Sequence, residues 1–370
     1  MKNKKKVLIV CDKNPCTSFG RLSLDIFTAL SNSFLPQLLW LVTPKYFPEG
    51  APQIGDFLEA RSLETGFFSY KRPFSKYLKQ NSPDIVLFIR PELGFLAPIP
   101  KKLNPACKSI VMVHDTFAET LYPNSLKFKI INKFFINKTT KADTFIFNSH
   151  YTENESNSYF GKPRLPGKVV GCPVSSGFLK EHAIISNEER QKFWERQGIN
   201  GFQSFCLNVS LDEPRKNLQT FFKLAQNRPN TAFIRVGRLR KQTKEHLQSL
   251  GLKNLFHFHS LDFNTLVDFY RHASVFIYPS FLEGFGLPPL EALACNTPVI
   301  AASTSALKEN LEGIVPLVSP PDNLKEYEKQ LDKILSQELI VSKEKVQNLL
   351  QKFSPATFAK TLSNFLEEIA

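Results

Sequence analysis

Glu283 and Glu291 stand eight positions apart in EGFGLPPLEALACNTPVIAAS (283–303), with Gly284, Gly286 and a Pro-Pro pair between them. Two carboxylates so placed have four uses: general acid and base, metal ligands, acceptors for substrate hydroxyls, or the ordinary start of a helix. GLPPLEALAC reads as a loop entering a helix, because prolines are tolerated in a first turn whose N–H groups lack partners anyway. Leu287, Leu290, Leu293 and Ala294 give that helix one apolar side. Glu283 then sits on the loop and Glu291 in or near the first turn, where the helix dipole favours an acid. Gly284 and Gly286 leave the backbone uncovered, so a ligand can approach its N–H groups, and an anion suits such a helix start. A carboxylate beside two glycines packs poorly and is well suited to accept hydrogen bonds from vicinal hydroxyls.

SLDEPRKNLQTFF (210–222) places Arg215 and Lys216 directly after the apolar run Phe205–Val209. That is a strand-to-helix turn at the C-terminal edge of a sheet, where open α/β folds bind ligands. A guanidinium fork beside an ammonium suits a diphosphate, although adjacent basic residues on a loop are also commonly just solvated. In IVMVHDTFAE, His114 and Asp115 follow another apolar run, and the imidazole can hydrogen-bond a substrate hydroxyl. A nucleophilic triad is not expected, since no G-x-S-x-G elbow is present. His257, His259 and His272 read as structural. The chain has no G-x-G-x-x-G, no G-x-x-x-x-G-K-[ST], and no D-x-D, H-E-x-x-H or C-x-x-C. Dinucleotide, P-loop and protein-ligated metal chemistry are therefore not signalled.

To bring such residues together the chain must supply strand ends. Short β-branched runs alternate with amphipathic segments along its whole length. The first half offers Lys6–Cys11, Leu38–Val42, Ile85–Arg90, Ser109–Val113, Thr144–Phe147 and Val169–Val170 as strands. The second offers Phe205–Val209, Ala232–Val236, Leu255–Phe258, Val275–Tyr278, Pro298–Ala301 and Val315–Val318. Runs so continuously apolar fit strands covered on both faces, with helices such as Lys216–Gln226, Thr265–Arg271 and Leu290–Ala294 between them. The expectation is an α/β protein of two Rossmann-like, doubly wound domains. The division is expected at 1–175 and 176–352, across the turn-rich GCPVSSGF and a linking helix in NEERQKFWERQG. A final helix, 353–370, starts at Ser354-Pro355 and is free to pack back on the N-terminal domain.

A chain of 370 residues is long enough for two cores, and 42% apolar residues with 34 Phe describe a packed globular protein. Six scattered cysteines argue for a reducing interior. MKNKKKVLIVCD is too short in its apolar run for a signal peptide, and no run approaches a membrane span, so a cytoplasmic location is expected. Residues 1–170 carry 24 Lys+Arg against 13 Asp+Glu. Such an excess serves solubility or an anionic partner: phosphate-bearing substrate, lipid surface or nucleic acid. No aromatic–basic module for nucleic acid is visible, and none is expected as a partner.

Taken together, EGFGLPPLEALACNTPVIAAS, DEPRKNL, VMVHDTF, HASVFIYPS and KADTFIFNSHYT resemble, in order and spacing, retaining glycosyltransferases of the large fourth family, the glycosyl transferases group 1. The resemblance runs over nearly the whole chain. It implies a GT-B fold, two Rossmann-like domains facing across a cleft, the first for acceptor and the second for nucleotide-sugar. It also implies transfer of a hexose, mannose or glucose favoured, from a GDP- or UDP-linked donor to a hydroxyl of a glycan or lipid-linked saccharide. Arg215 and Lys216 would neutralise the leaving diphosphate, so no metal and no cofactor are expected. The backbone at Phe285, Gly286 and Leu287 would hold phosphate and sugar, with Glu283 on the sugar hydroxyls and Glu291 on the ribose. His114 would contact the sugar near the reacting carbon, and Gly20 would let the first loop approach a phosphate. Retention without an enzyme nucleophile implies front-face attack.

The sequence departs from that pattern at three places. TSFGRL has one glycine where two are usual, with Phe19 in the other place. Asn296 stands where a glycine usually precedes Thr-Pro-Val, and asparagine tolerates the left-handed conformation needed there. GCPVSSGF replaces the usual end of the first domain. The missing glycine also fits a non-catalytic relative acting as a partner subunit. NSLKFKIINKFFINKTTK (124–141) pairs lysines with Phe and Ile. It reads either as a helix on the sheet or as a peripheral contact with anionic lipid at the inner membrane face.

Overall fold

The computed structural model describes residues 4–15, 17–41, 54–58, 70–115, 138–160 and 166–369. They form two compact units, Met1–Pro173 with Pro355–Ala370, and Val174–Ser354. Residues 124–137 of the basic stretch lie outside the described residues.

The first unit is built on β1 (Lys6–Cys11), β2 (Leu35–Trp40), β3 (Asp56–Phe57), β4 (Ile85–Phe88), β5 (Lys108–Val113), β6 (Thr144–Phe147) and β7 (Lys168–Val169). They make one parallel sheet in the order β3-β2-β1-β4-β5-β6-β7. Its helices are α1 (Ser18–Leu30), α2 (Lys71–Asn81), α3 (Pro98–Leu103) and α4 (His150–Phe160). The strand pleat sorts β1 between two cores. Val7, Ile9 and Cys11 join Ile26 and Leu30 of α1 on one face, while Leu8 and Val10 join Phe74 and Leu78 of α2 on the other. Burial on both faces is why KVLIVC shows no polar alternation. The terminal helix Pro355–Ile369 belongs to this unit, placing Phe358, Leu362, Phe365 and Leu366 in the core that α1 covers.

The second unit contains β8 (Phe205–Val209), β9 (Ala232–Val236), β10 (Leu255–Phe258), β11 (Val275–Tyr278), β12 (Val299–Ala302) and β13 (Leu317–Val318), in the order β10-β9-β8-β11-β12-β13 and again parallel. Its helices are α5 (Asn187–Arg196), α6 (Leu218–Asn227), α7 (Lys241–Leu250), α8 (Phe263–His272), α9 (Leu287–Ala294), α10 (Ser305–Leu311), α11 (Leu324–Leu335) and α12 (Lys343–Lys352). A capping box between Ser186 and Glu189 starts α5. One face of the sheet packs Cys206, Phe233, Ile277 and Ile300 against Phe221 of α6 and Leu331 of α11. Both units are doubly wound α/β sheets.

Three local differences from the sequence reading have physical causes. The expected helix 216–226 is split: Pro214–Lys216 forms a 3-10 turn, Asn217 takes φ +50°, and α6 begins at Leu218. The Asn217 carboxamide donates to Pro279 O and Pro321 O, 3.0 Å each, and these bonds hold the kink. α9 starts at Leu287 rather than Leu290, so Glu291 lies beyond its first turn and the dipole does little to explain it. The edge strand β3 is too short to show a periodic signal. Asn296 adopts φ +61°. Among the described residues no helix is long and apolar enough to cross a membrane.

Candidate active site

In the second unit the chain reverses its order across the sheet between β8 and β11, the place where open α/β sheets bind ligands. The turn after β8 carries Arg215 and Lys216, and the loop after β11 carries Glu283. Lys216 Nζ donates to Glu283 Oε1 at 2.6 Å and to the Tyr278 hydroxyl at 2.9 Å. Arg215 Nη1 donates to Glu283 Oε2 at 2.9 Å and to Leu282 O at 3.0 Å, while its Nε donates to Glu213 Oε2 at 2.7 Å. The Ser280 hydroxyl donates to Glu283 Oε1 at 2.6 Å, and Glu283 N donates to Ser305 Oγ at 2.8 Å. The sequence reading gave the glutamate to a sugar and the cations to a diphosphate; the structure joins all three residues in one buried cluster.

Lys216 and Glu283 are only 7% and 5% exposed. Burial pulls the Lys216 ammonium below its ordinary value, with Glu283 opposing that shift. For Glu283, burial pushes the carboxyl up, but the charges of Lys216 and Arg215 outweigh it and hold the group below the usual range. A carboxylate oxygen accepts two hydrogen bonds. Oε1 has both from Lys216 and Ser280, whereas the bond to Oε2 comes from Arg215.

Gly286 precedes α9 at φ +93°, and a Cβ there would fall 2.5 Å from Leu307 Cδ2, so only glycine fits. Phe285 is buried edge-on against Phe353, and its carbonyl accepts from Asn310 Nδ2 at 2.8 Å. Leu287 opens the helix. Glu291 faces Tyr270, whose hydroxyl donates to Oε2 at 2.8 Å. The two glutamates therefore do not meet as an acid–base pair: one is tied to β8 and β11, the other to α8.

Gly20 and His114 lie in the first unit. Gly20 is buried in the first turn of α1, and a Cβ there would fall 1.9 Å from Asn14 O. The close fit of this loop on its own helix is reason enough for that glycine. His114, buried after β5, places Nε2 2.8 Å from Ile89 O. A carbonyl only accepts, so Nε2 carries the proton and the neutral ring offers Nδ1 as an acceptor. Burial lowers its pKa to about 4, aided by the Arg90 charge. Above pH 6.5 the ring is neutral in folded and unfolded chains. As pH falls from there to about 4, the unfolded chain takes a proton that the folded one refuses. Stability should drop over that window by up to about 3 kcal/mol and then level off. Urea unfolding of wild type and His114→Gln at pH 7 and 4.5 checks this, the variant showing the smaller drop.

Several contributors gave no sequence signal. Tyr278 closes the expected strand Val275–Tyr278, and the sequence assigns no role to Ser280 or Ser305. Arg235 is hidden in the run AFIRV, yet it is fully buried on β9. Its Nη2 donates to Ser210 O at 2.6 Å, its Nε and Nη1 have no hydrogen-bond partner, and burial lowers its pKa to about 10.

Residues 189–354 match the family described as Glycosyl transferases group 1. The O-antigen chain mannosyltransferase RfbU of Salmonella typhimurium is 26% identical over 217 residues, 57% of this chain and 57% of its own. The serotype-specific mannosyltransferase WbdA of Escherichia coli is 28% identical over 201 residues, 50% of this chain and 24% of its own. The matches thus span about half of the first relative and a quarter of the second. Among solved structures, sucrose-phosphate synthase from Thermosynechococcus elongatus superposes with a TM-score of 0.80 at 15% identity, covering 99% of both chains. Anabaena HepE in complex with UDP and glucose gives 0.76 at 15% identity, over 98% of this chain and 99% of that one.

Proposed function

We infer that this chain, a GT-B member of the glycosyl transferases group 1, is a hexosyltransferase that moves a sugar from a nucleoside diphosphate to an acceptor hydroxyl. What carries the reading is the buried Arg215–Lys216–Glu283 cluster at the switch point of the second sheet. Breaking a glycosyl–phosphate bond builds negative charge on the departing diphosphate, and fixed cations there stabilise the transition state without a metal. Glu283 holds both cations in place and offers Oε2 to a hydroxyl of the transferred sugar. Glu291 takes the ribose hydroxyls in place of, or beside, Tyr270. The amides of Phe285, Gly286 and Leu287 meet phosphate and sugar, and His114 Nδ1 accepts from a sugar hydroxyl.

Transfer proceeds with retention. The acceptor oxygen bonds to the anomeric carbon on the face from which the phosphate oxygen leaves, and the acceptor proton passes to that oxygen. Glu283 is not the nucleophile of a paired-carboxylate mechanism, because both of its oxygens already accept from cations. Mannose and glucose are the favoured sugars: RfbU and WbdA are named as mannosyltransferases, and HepE was solved with UDP and glucose. The acceptor is a hydroxyl of a glycan or lipid-linked saccharide.

A thermal-shift series with UDP, GDP and ADP tests the donor site. A nucleotide at about 100 times its Kd should stabilise the chain by roughly 2.7 kcal/mol, a rise of several degrees in Tm. Unchanged melting with all three would remove the donor site from the cluster.

A further inference from the structure

The first sheet has its own switch point, between β1 and β4, and the proposed reaction gives no role to the charged residues there. Asp12 follows β1, and Arg90 lies just past β4. Arg90 Nη1 donates to Asp12 Oδ2 at 2.8 Å and Oδ1 at 3.1 Å, while Nη2 pairs with Glu92. The guanidinium stands 5.0 Å over the Phe19 ring, which also meets His114 at 4.9 Å between centroids and packs against the core beneath it. Lys13 Nζ is 3.9 Å from Asp12. Arg90 and Asp12 are nearly buried, whereas the Glu92 side chain is 48% exposed. An ion pair serving only to join two strands gains little over an apolar pair and has no need of the open Glu92 carboxylate. The second sheet places its own arginine–glutamate pair at the equivalent position.

We propose that Asp12, Arg90 and Glu92, with Phe19 beside them, form a saccharide subsite that recognises the hydroxyls of a neutral acceptor sugar. The carboxylates of Asp12 and Glu92 are matched by Arg90 and Lys13, so the cluster has no excess positive charge to draw a phosphate or carboxylate. A pair of hydroxyls finds carboxylate acceptors, a guanidinium donor and an apolar ring for the C–H side of the sugar. The acceptor assignment rests on the transferase reading; binding of the sugar does not.

The test uses methyl glycosides of mannose, glucose and galactose, with the matching glycosyl 1-phosphates as anionic probes. Saturation-transfer NMR on the full chain should detect at least one methyl glycoside with wild type. The signal should weaken about tenfold in Glu92→Gln, as expected for loss of a charged hydrogen-bond acceptor. Phosphate probes should bind no better. In a transfer assay the same variant should raise the KM for the glycoside about tenfold and leave the donor KM unchanged. Tighter binding of the phosphates, equal binding by the variant, or no glycoside signal with wild type would overturn the subsite. Glycoside binding without any nucleoside diphosphate release would instead count against the transferase reading alone.

Discussion

Replacing Lys216 by alanine is expected to lower kcat by about a hundredfold to a thousandfold, roughly 3–4 kcal/mol of transition-state stabilisation. The effect should fall on kcat more than on donor KM, because the charge that Lys216 answers grows only as the glycosyl–phosphate bond breaks. The fold should survive. Glu283 keeps Arg215 and Ser280 as partners when Lys216 is gone, and Asn217 still holds the turn through Pro279 O and Pro321 O. Steady-state kinetics with circular dichroism on the same preparations separates lost chemistry from lost structure. Unchanged kcat would mean that the ammonium is only a strut for Tyr278.

Glu283→Gln carries the second large effect, and its sign differs between stability and nucleotide binding. Removing the carboxylate charge leaves the buried Lys216 without its counter-charge, beside an Arg215 that keeps only Glu213. An unpaired buried ion costs about 3–5 kcal/mol, so the ligand-free variant should melt well below wild type. A nucleoside diphosphate brings the missing negative charge back. The Tm rise on adding UDP or GDP should therefore be at least as large in Glu283→Gln as in wild type, while transfer is lost with the sugar hydroxyl's acceptor. Loss of both nucleotide stabilisation and transfer would show that Glu283 shapes the whole pocket rather than pairing with its cations.

Much of the framework was legible because burial on both faces leaves a strong mark. Runs such as KVLIVC and VFIY, and the helices between them, imply parallel sheets with little ambiguity. The residue types of the buried cluster were legible too, since Arg215, Lys216 and Glu283 sit on loops where packing does not ask for charge. Their partnership was not. Lys216 and Glu283 are 67 positions apart, and they meet only because β8 and β11 are neighbours in the sheet. Periodicity reports each strand's faces but not its neighbours. Arg90 and Asp12, 78 positions apart, escaped for the same reason. Asn217 escaped for another: its left-handed turn depends on carbonyls at 279 and 321, so local propensity favoured a continuous helix.

Transfer of a sugar from a nucleoside diphosphate is the activity proposed for the cluster between β8 and β11. Its most direct measurement is nucleoside diphosphate release from GDP-mannose and UDP-glucose in the presence of the methyl glycosides, with wild type and Lys216→Ala side by side. Wild type should show glycoside-dependent release from at least one donor, with appearance of the corresponding disaccharide, and the variant a loss of about a hundredfold or more. Equal release by the two proteins, or none by wild type from either donor, would contradict it.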